Sequence, residues 1–147
     1  MKKQALDLNR TYPRSAREKL GGYLHLARMI DKARAKAAGS LGEYRYPCPI
    51  DQSLLELLGV ESEAFLDAAK DQDEEGVLKW LRAKAKARSP GEVEKWNQEL
   101  LDRKPQNDES LLYFQETRAR VAPDRQDVST WVDLLDLEER REVPLRS

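Results

Sequence analysis

From Ala16 onward the apolar residues return every three or four positions. Ala16, Leu20, Tyr23, Ala27, Ile30 and Ala37 gather on one side of a helical wheel. The spacing predicts a long first helix from Arg17 to Ala38, unbroken by proline. Ser15 followed by Glu18 has the spacing of a capping box, with Pro13 just outside it, and Gly39 stands where a helix C′ residue belongs. Only Gly21-Gly22 weakens the reading, each glycine costing about 1 kcal/mol relative to alanine in a helix interior. A loop rich in Gly, Pro and Tyr follows (GSLGEYRYPCPID, 39–51). In it Glu43 to Tyr46 reads as a short extended piece, and Pro47 and Pro49 bar a helix.

Beyond the loop the helical period returns in short runs. Asp51 is placed to cap a helix from Gln52 to Leu58, closed by Gly59. Ser62 opens another, and Asp73 begins a third, with Val77, Leu78, Leu81 and Ala85 on one face. Ser89-Pro90-Gly91-Glu92 is a second capping-box pattern with proline at the first helical position. Its helix offers Val93, Trp96, Leu100 and Leu101. A polar loop from Lys104 to Asp108 precedes a helix that buries Leu111, Leu112 and either Tyr113 or Phe114. Pro123 interrupts, and a last helix runs from Ser129 to Arg141. No alternating strands and no fixed-period repeat are present. The expectation is an all-α fold, one domain over residues 1–147, built as a bundle of about six helices around a long first helix.

Composition narrows the class. Of the 147 residues 39% are hydrophobic and 36% charged, enough for a thin core in one domain of ordinary size. No stretch approaches the roughly 20 apolar residues of a membrane span. Met1 to Asp7 has no apolar run behind its lysines, which argues against a signal peptide. Cys48 is the only cysteine, so no internal disulfide forms, and the reducing cytoplasm is the expected compartment.

The net charge of −1 hides a segregation. Residues 1–48 carry 11 Lys/Arg against 4 Asp/Glu, residues 51–75 carry 1 against 9, and the remainder balances. Such asymmetry predicts a polarised surface, or two segments that face each other.

Several stretches resemble a known family. Pro13-Arg14-Ser15-Ala16-Arg17, Leu20-Gly21-Gly22-Tyr23, Leu26-Ala27-Arg28 and Asp31-Lys32-Ala33-Arg34 are similar to motifs of the bacterial domain of unknown function 5069 family. Ala38-Gly39, Gly42-Glu43-Tyr44, Pro49, Asp51 and the WVDLL run from Trp131 to Leu135 extend the resemblance over most of the chain. It implies a small cytoplasmic helical protein and carries no activity with it.

Two constellations are candidate sites. On the predicted first helix, Arg14, Arg17, Gly21, His25, Arg28, Lys32 and Lys36 fall opposite the apolar side. With Gly21 bare in the middle and two arginines at the helix start, Arg14, Arg17, Gly21, Arg28 and Lys32 are candidates for an anion site. Read as structure, the same stripe is a solvated face or packs on the acidic 51–75 segment. Asp31 and Arg34 lie at the edge of the apolar stripe, where unpaired charges would be costly. They are expected to be buried and bonded to each other or to the following loop, in a polar pocket with Glu43, Tyr44 and Asp51. Read as structure, that is an ion pair tying loop to helix.

Other chemistry has thinner support. A Cys48/His25 dyad requires the loop to fold back onto the basic side of the helix, and Cys48 reads otherwise as a small apolar residue. One Cys and one His do not supply the four usual zinc ligands, so no metal and no cofactor are expected. There is no phosphate loop, dinucleotide fingerprint or nucleophile elbow. Nucleic-acid-binding motifs are absent too, despite the basic first third. The sequence therefore favours a small binding or adaptor domain with a basic, anion-binding first helix, whose partner is a small anion or an acidic protein surface. The alternative is an acid–base enzyme acting on a small anionic substrate through Asp31, Glu43 or Asp51.

Overall fold

A computed structural model describes residues 5–146; Met1 to Gln4, read above for a leader signal, and Ser147 lie outside the described residues. The chain is all-α, with helices α1 (Leu26–Ala38), α2 (Pro49–Leu58), α3 (Ser62–Asp71), α4 (Glu74–Lys84), α5 (Pro90–Asp102), α6 (Asp108–Val121) and α7 (Trp131–Glu138). No helix among the described residues is long and apolar enough to cross a membrane. Contacts divide the chain into two compact units, 1–93 and 94–147.

In the first unit α1 packs on α3, and α3 on α4. Every residue from Leu24 to Ala35 is buried. α1 is therefore buried all round as far as Ala35, with Lys36 to Ala38 exposed, and Arg28 and Lys32 of the face expected to be basic and outward lie inside. Leu26, Met29 and Ile30 on α1 and Leu54, Leu58, Phe65 and Val77 on the following helices are fully buried.

The first helix starts nine residues later than its periodicity suggests, at Leu26 rather than Arg17. Gly21 and Gly22 are the reason. They take φ of 59° and 89°, and Leu20 and Tyr23 exchange both backbone hydrogen bonds across them at 2.9 Å. Positive φ at both central residues is the geometry of a two-residue hairpin turn, which glycine adopts without steric penalty while it weakens a helix. Ser15 and Glu18 do not form the expected capping box. Ser15 Oγ accepts from the Arg17 N–H, and Ser15 O from the Glu18 N–H, in an isolated turn. His25 is the residue before α1, at a left-handed φ of 70°, with its N–H donated to Ala16 O.

α2 also differs from expectation. It starts at Pro49, with Cys48 as N-cap and Asp51 at the third position rather than at the cap. Pro49 opens the helix instead of barring it, because the first helical residue needs no N–H donor. Gly39 (φ 72°) and Gly59 (φ 69°) end α1 and α2 as their positions predict. Ser89 and Glu92 form the predicted reciprocal cap.

In the second unit α6 packs on α7 around Phe114, Val128, Leu134 and Val143. Trp131 meets Phe114 edge-on at 5.1 Å. Asn107 caps α6 and fixes a register in which Phe114, Thr117 and Val121 turn inward. Leu111 and Leu112 are consequently exposed, where the sequence suggested burial, and of Tyr113 and Phe114 it is Phe114 that is buried. The last helix is shorter than Ser129 to Arg141, with Thr130 accepting from the Asp133 N–H at its start.

Candidate functional site

His25 and Lys32 are seven residues apart, two turns along one face of α1, and both face the N-terminus of α2. Asp51 meets them there. One of its carboxylate oxygens, Oδ1, lies 2.6 Å from His25 Nε2, and the other, Oδ2, lies 2.7 Å from Lys32 Nζ. Oδ2 also accepts the Cys48 N–H at 2.9 Å. Cys48 Sγ in turn receives Lys32 Nζ at 3.2 Å and the Asp51 N–H at 3.5 Å. His25, Lys32 and Asp51 are buried, while Cys48 is half-buried. Cys48 is thus the least buried residue of a four-residue polar cluster.

Burial would raise the Asp51 carboxyl, but the His25 hydrogen bond, the Lys32 charge and the Cys48 N–H outweigh it and hold the group far below the usual carboxylate range. Burial pushes the His25 imidazole down, against the pull of Asp51, so the ring is neutral. A neutral ring beside a carboxylate donates through Nε2–H, which assigns the lone pair to Nδ1. Nδ1 is buried with no hydrogen-bond partner among the described residues.

A second network sits beside the first. Arg14 grips Asp31 with Nε at 3.0 Å and Nη2 at 3.1 Å, its own backbone N–H adding a third bond at 2.9 Å. Its other guanidinium nitrogen pairs with Glu74 at 2.6 Å. Burial disfavours this charge, yet Asp31 and Glu74 together raise the guanidinium above its ordinary range. Arg28 donates to Arg14 O at 3.2 Å and stacks over the Tyr44 ring at 5.7 Å. Arg34 donates to Ala69 O and Gln72 O, both at 2.9 Å, satisfying carbonyls at the C-terminal end of α3.

The candidate residues therefore separate differently from their sequence grouping. Arg14, Arg17, Gly21, Arg28 and Lys32 do not line one helical stripe. Arg14 and Arg17 are half-buried in the segment before the hairpin turn, and Arg28 and Lys32 are buried. Gly21 is exposed and lines a cleft of about 270 Å³ with Tyr23, Leu78 and Arg88, where a Cβ would lie 2.9 Å from Leu78 Cδ2. Asp31 and Arg34 are buried and hydrogen-bonded, but to Arg14 and to α3 rather than to each other or the loop. Glu43 is exposed and Tyr44 half-buried, and Asp51 belongs to the His25 cluster. The loop does fold back on α1, which was the condition for bringing Cys48 near His25. Cys48 Sγ and a His25 ring nitrogen lie within 4.8 Å of each other, and Asp51 is bonded to both residues.

Donor atoms of His25, Cys48 and Asp51 lie within 4.8 Å of one another, a spacing compatible with one metal ion. Lys32 already contributes a cation to two of the three, so a metal would have to displace a buried ammonium. An open cleft of about 450 Å³ runs beside α2, lined by Pro47, Gln52, Leu55, Glu56 and residues 59–62.

Among curated proteins no sequence matches the chain. The model of a family described as a domain of unknown function (DUF5069) matches residues 10–141, a span that contains both networks and most of the chain. The chain belongs to that family.

Proposed function

We propose that the protein works through Cys48, as a nucleophilic thiol that reacts with small soft electrophiles or peroxides in a reducing compartment such as the cytoplasm. The observation that carries this reading is the convergence of two donors, the Lys32 ammonium and the Asp51 N–H, on the sulfur of half-buried Cys48. Negative charge that develops on sulfur during reaction is met by a cation and by the first-turn N–H groups of α2. Cys48 is the catalytic residue in this scheme, and Lys32 touches the reacting atom. Asp51 is a positioning residue: it fixes the ammonium with one oxygen and is itself fixed by His25 through the other.

The readings suggested by charge alone have less support. An anion-binding adaptor would need free cations, and Arg14, Arg28 and Lys32 all have internal partners. An acid–base enzyme would need a carboxylate able to take and return a proton near neutrality, whereas Asp51 is held ionised far below that.

The test is the rate at which iodoacetamide alkylates Cys48 at neutral pH in the wild type, Lys32→Arg and Lys32→Met. The reading predicts at least a tenfold loss in Lys32→Met and a smaller loss in Lys32→Arg, with circular dichroism reporting the fold. Equal rates in folded proteins would overturn it.

A further inference from the structure

The contact between Cys48 Sγ and Lys32 Nζ is 3.2 Å, with the Asp51 carboxylate 2.7 Å from the same nitrogen. Sulfur and nitrogen lie in direct contact, Lys32 is buried, and the Asp51 carboxylate beside them is in turn held by His25 Nε2. An oxidised cysteine is electrophilic at sulfur, and a sulfenic acid condenses with a neighbouring nitrogen when one is held against it. Lys32 is held there by its bond to Asp51.

We propose that Lys32 captures oxidised Cys48 as a reversible sulfur–nitrogen link, making the pair a modification site that protects the thiol from irreversible oxidation; this rests on Cys48 being a reactive thiol. In the first step a hydroperoxide oxidises the Cys48 thiol to the sulfenic acid and is itself reduced to the alcohol, or to water when it is hydrogen peroxide. Lys32 then gives one ammonium proton to the sulfenic oxygen while Asp51 stays ionised. The freed amine lone pair attacks Sγ, the S–O bond breaks, water leaves, and the nitrogen gives its surplus proton to solvent. The product is Cys48 Sγ bonded to Lys32 Nζ–H, and the thiol–amine pair has lost two hydrogens overall. A free thiol such as glutathione attacks the sulfur of the link and restores both side chains.

The link replaces the ammonium that now lies on Asp51, so the oxidised state removes the main counter-charge of a buried carboxylate. The same event changes the N-cap of α2, since Sγ accepts from the Asp51 N–H. Oxidation is thereby coupled to the junction of α1 and α2.

The experiment exposes wild type, Lys32→Arg and Cys48→Ser to a few equivalents of hydrogen peroxide, with and without dimedone, and reads intact and peptide masses. The expected wild-type result is a loss of two hydrogens (about 2 Da), a linked peptide pair containing Lys32 and Cys48, little dimedone adduct, and full reversal by dithiothreitol. Lys32→Arg should give the dimedone adduct and then sulfinic acid, and Cys48→Ser should not change. The linked pair is read in the wild type alone, so it does not depend on a variant folding. A wild-type sulfenic acid trapped by dimedone as readily as in Lys32→Arg, with no linked pair, would overturn the link and leave the reactive thiol standing. A Cys48 that stays reduced under peroxide, in wild type and variant alike, would overturn both.

Discussion

His25 Nε2 and Asp51 Oδ1 lie 2.6 Å apart, 26 residues apart in sequence, with both side chains buried from solvent. The contact closes the Gly/Pro/Tyr loop onto α1 and orients the carboxylate that also holds Lys32. An ionised group this deeply placed is tolerated only because each oxygen has a partner.

Removing that hub should be severe. Asp51→Ala leaves a buried ammonium and a buried imidazole without their acceptor, and the loss expected is about 3–5 kcal/mol. Urea denaturation measures it as a lowered midpoint at unchanged slope. A change below about 0.5 kcal/mol, the range of ordinary surface substitutions, would mean that the cluster does not hold α1 to α2.

The pH dependence follows from the same pair. His25 is pushed down from about 6.5, so its contribution to stability is complete above that pH and is lost as the pH falls below it. Asp51 is pushed down from about 3.9, and its contribution is present above that value and disappears on further acidification. Both act in one direction. Stability should be level near neutrality, decline from about pH 6.5 and fall steeply below about pH 4. His25 is the only histidine, so NMR can follow its ring directly. Its folded-state titration should lie below the free-imidazole value of about 6.5, and a titration at or above that value would contradict its burial against Asp51.

The caps make a paired prediction. Ser89 and Glu92 exchange side-chain and backbone bonds at the start of α5, so Ser89→Ala should cost about 1 kcal/mol. Ser15 has the same spacing to Glu18 but caps no helix, and Ser15→Ala should cost less than about 0.5 kcal/mol. Thermal or urea unfolding of the two variants checks the ranking, and the reverse order would place the start of α1 near Ser15.

At the hairpin turn, Gly21→Ala should destabilise by about 1–2 kcal/mol. Its φ is 59° and the new Cβ would meet Leu78 Cδ2 at 2.9 Å. An unchanged melting temperature would contradict the turn and favour a helix running through residue 21.

These differences show what was legible in the sequence. The helical class, the later helices and the stops at Gly39 and Gly59 could be read because period, caps and breakers are local signals. The start of α1 was not legible from periodicity, since Ala16, Leu20 and Tyr23 satisfy a helical wheel equally well as inward-facing residues of a turn. Gly21-Gly22 was the sign that decided it. The burial of Asp31 and Arg34 followed from their place beside the apolar stripe, but their partners did not, because Ala69, Gln72 and Arg14 are brought to them only by packing.

The basic stripe misled for a related reason. Buried all round from Leu26 to Ala35, α1 has no solvent face there for Arg28 and Lys32 to occupy, and nothing in a wheel diagram distinguishes an outer face from a second buried one. The Cys48 cluster left a faint mark in the sequence. His25 and Lys32 have the spacing of one helical face, and Cys48 and Asp51 have the spacing of a reciprocal cap.

Whether the fold itself makes Cys48 reactive is tested by one comparison that needs no substitution at all. The second-order rate of alkylation by iodoacetamide is measured at neutral pH on the native protein and on the same chain unfolded in urea, with free cysteine in each buffer as the reference. Sequence and sulfur are identical, so only the placement of Lys32 and of the α2 N-terminus differs. Native Cys48 should react faster than unfolded Cys48 once each is divided by its reference. A native rate below the unfolded one, with labelling that waits for the protein to open, would contradict it and make Cys48 a structural cap.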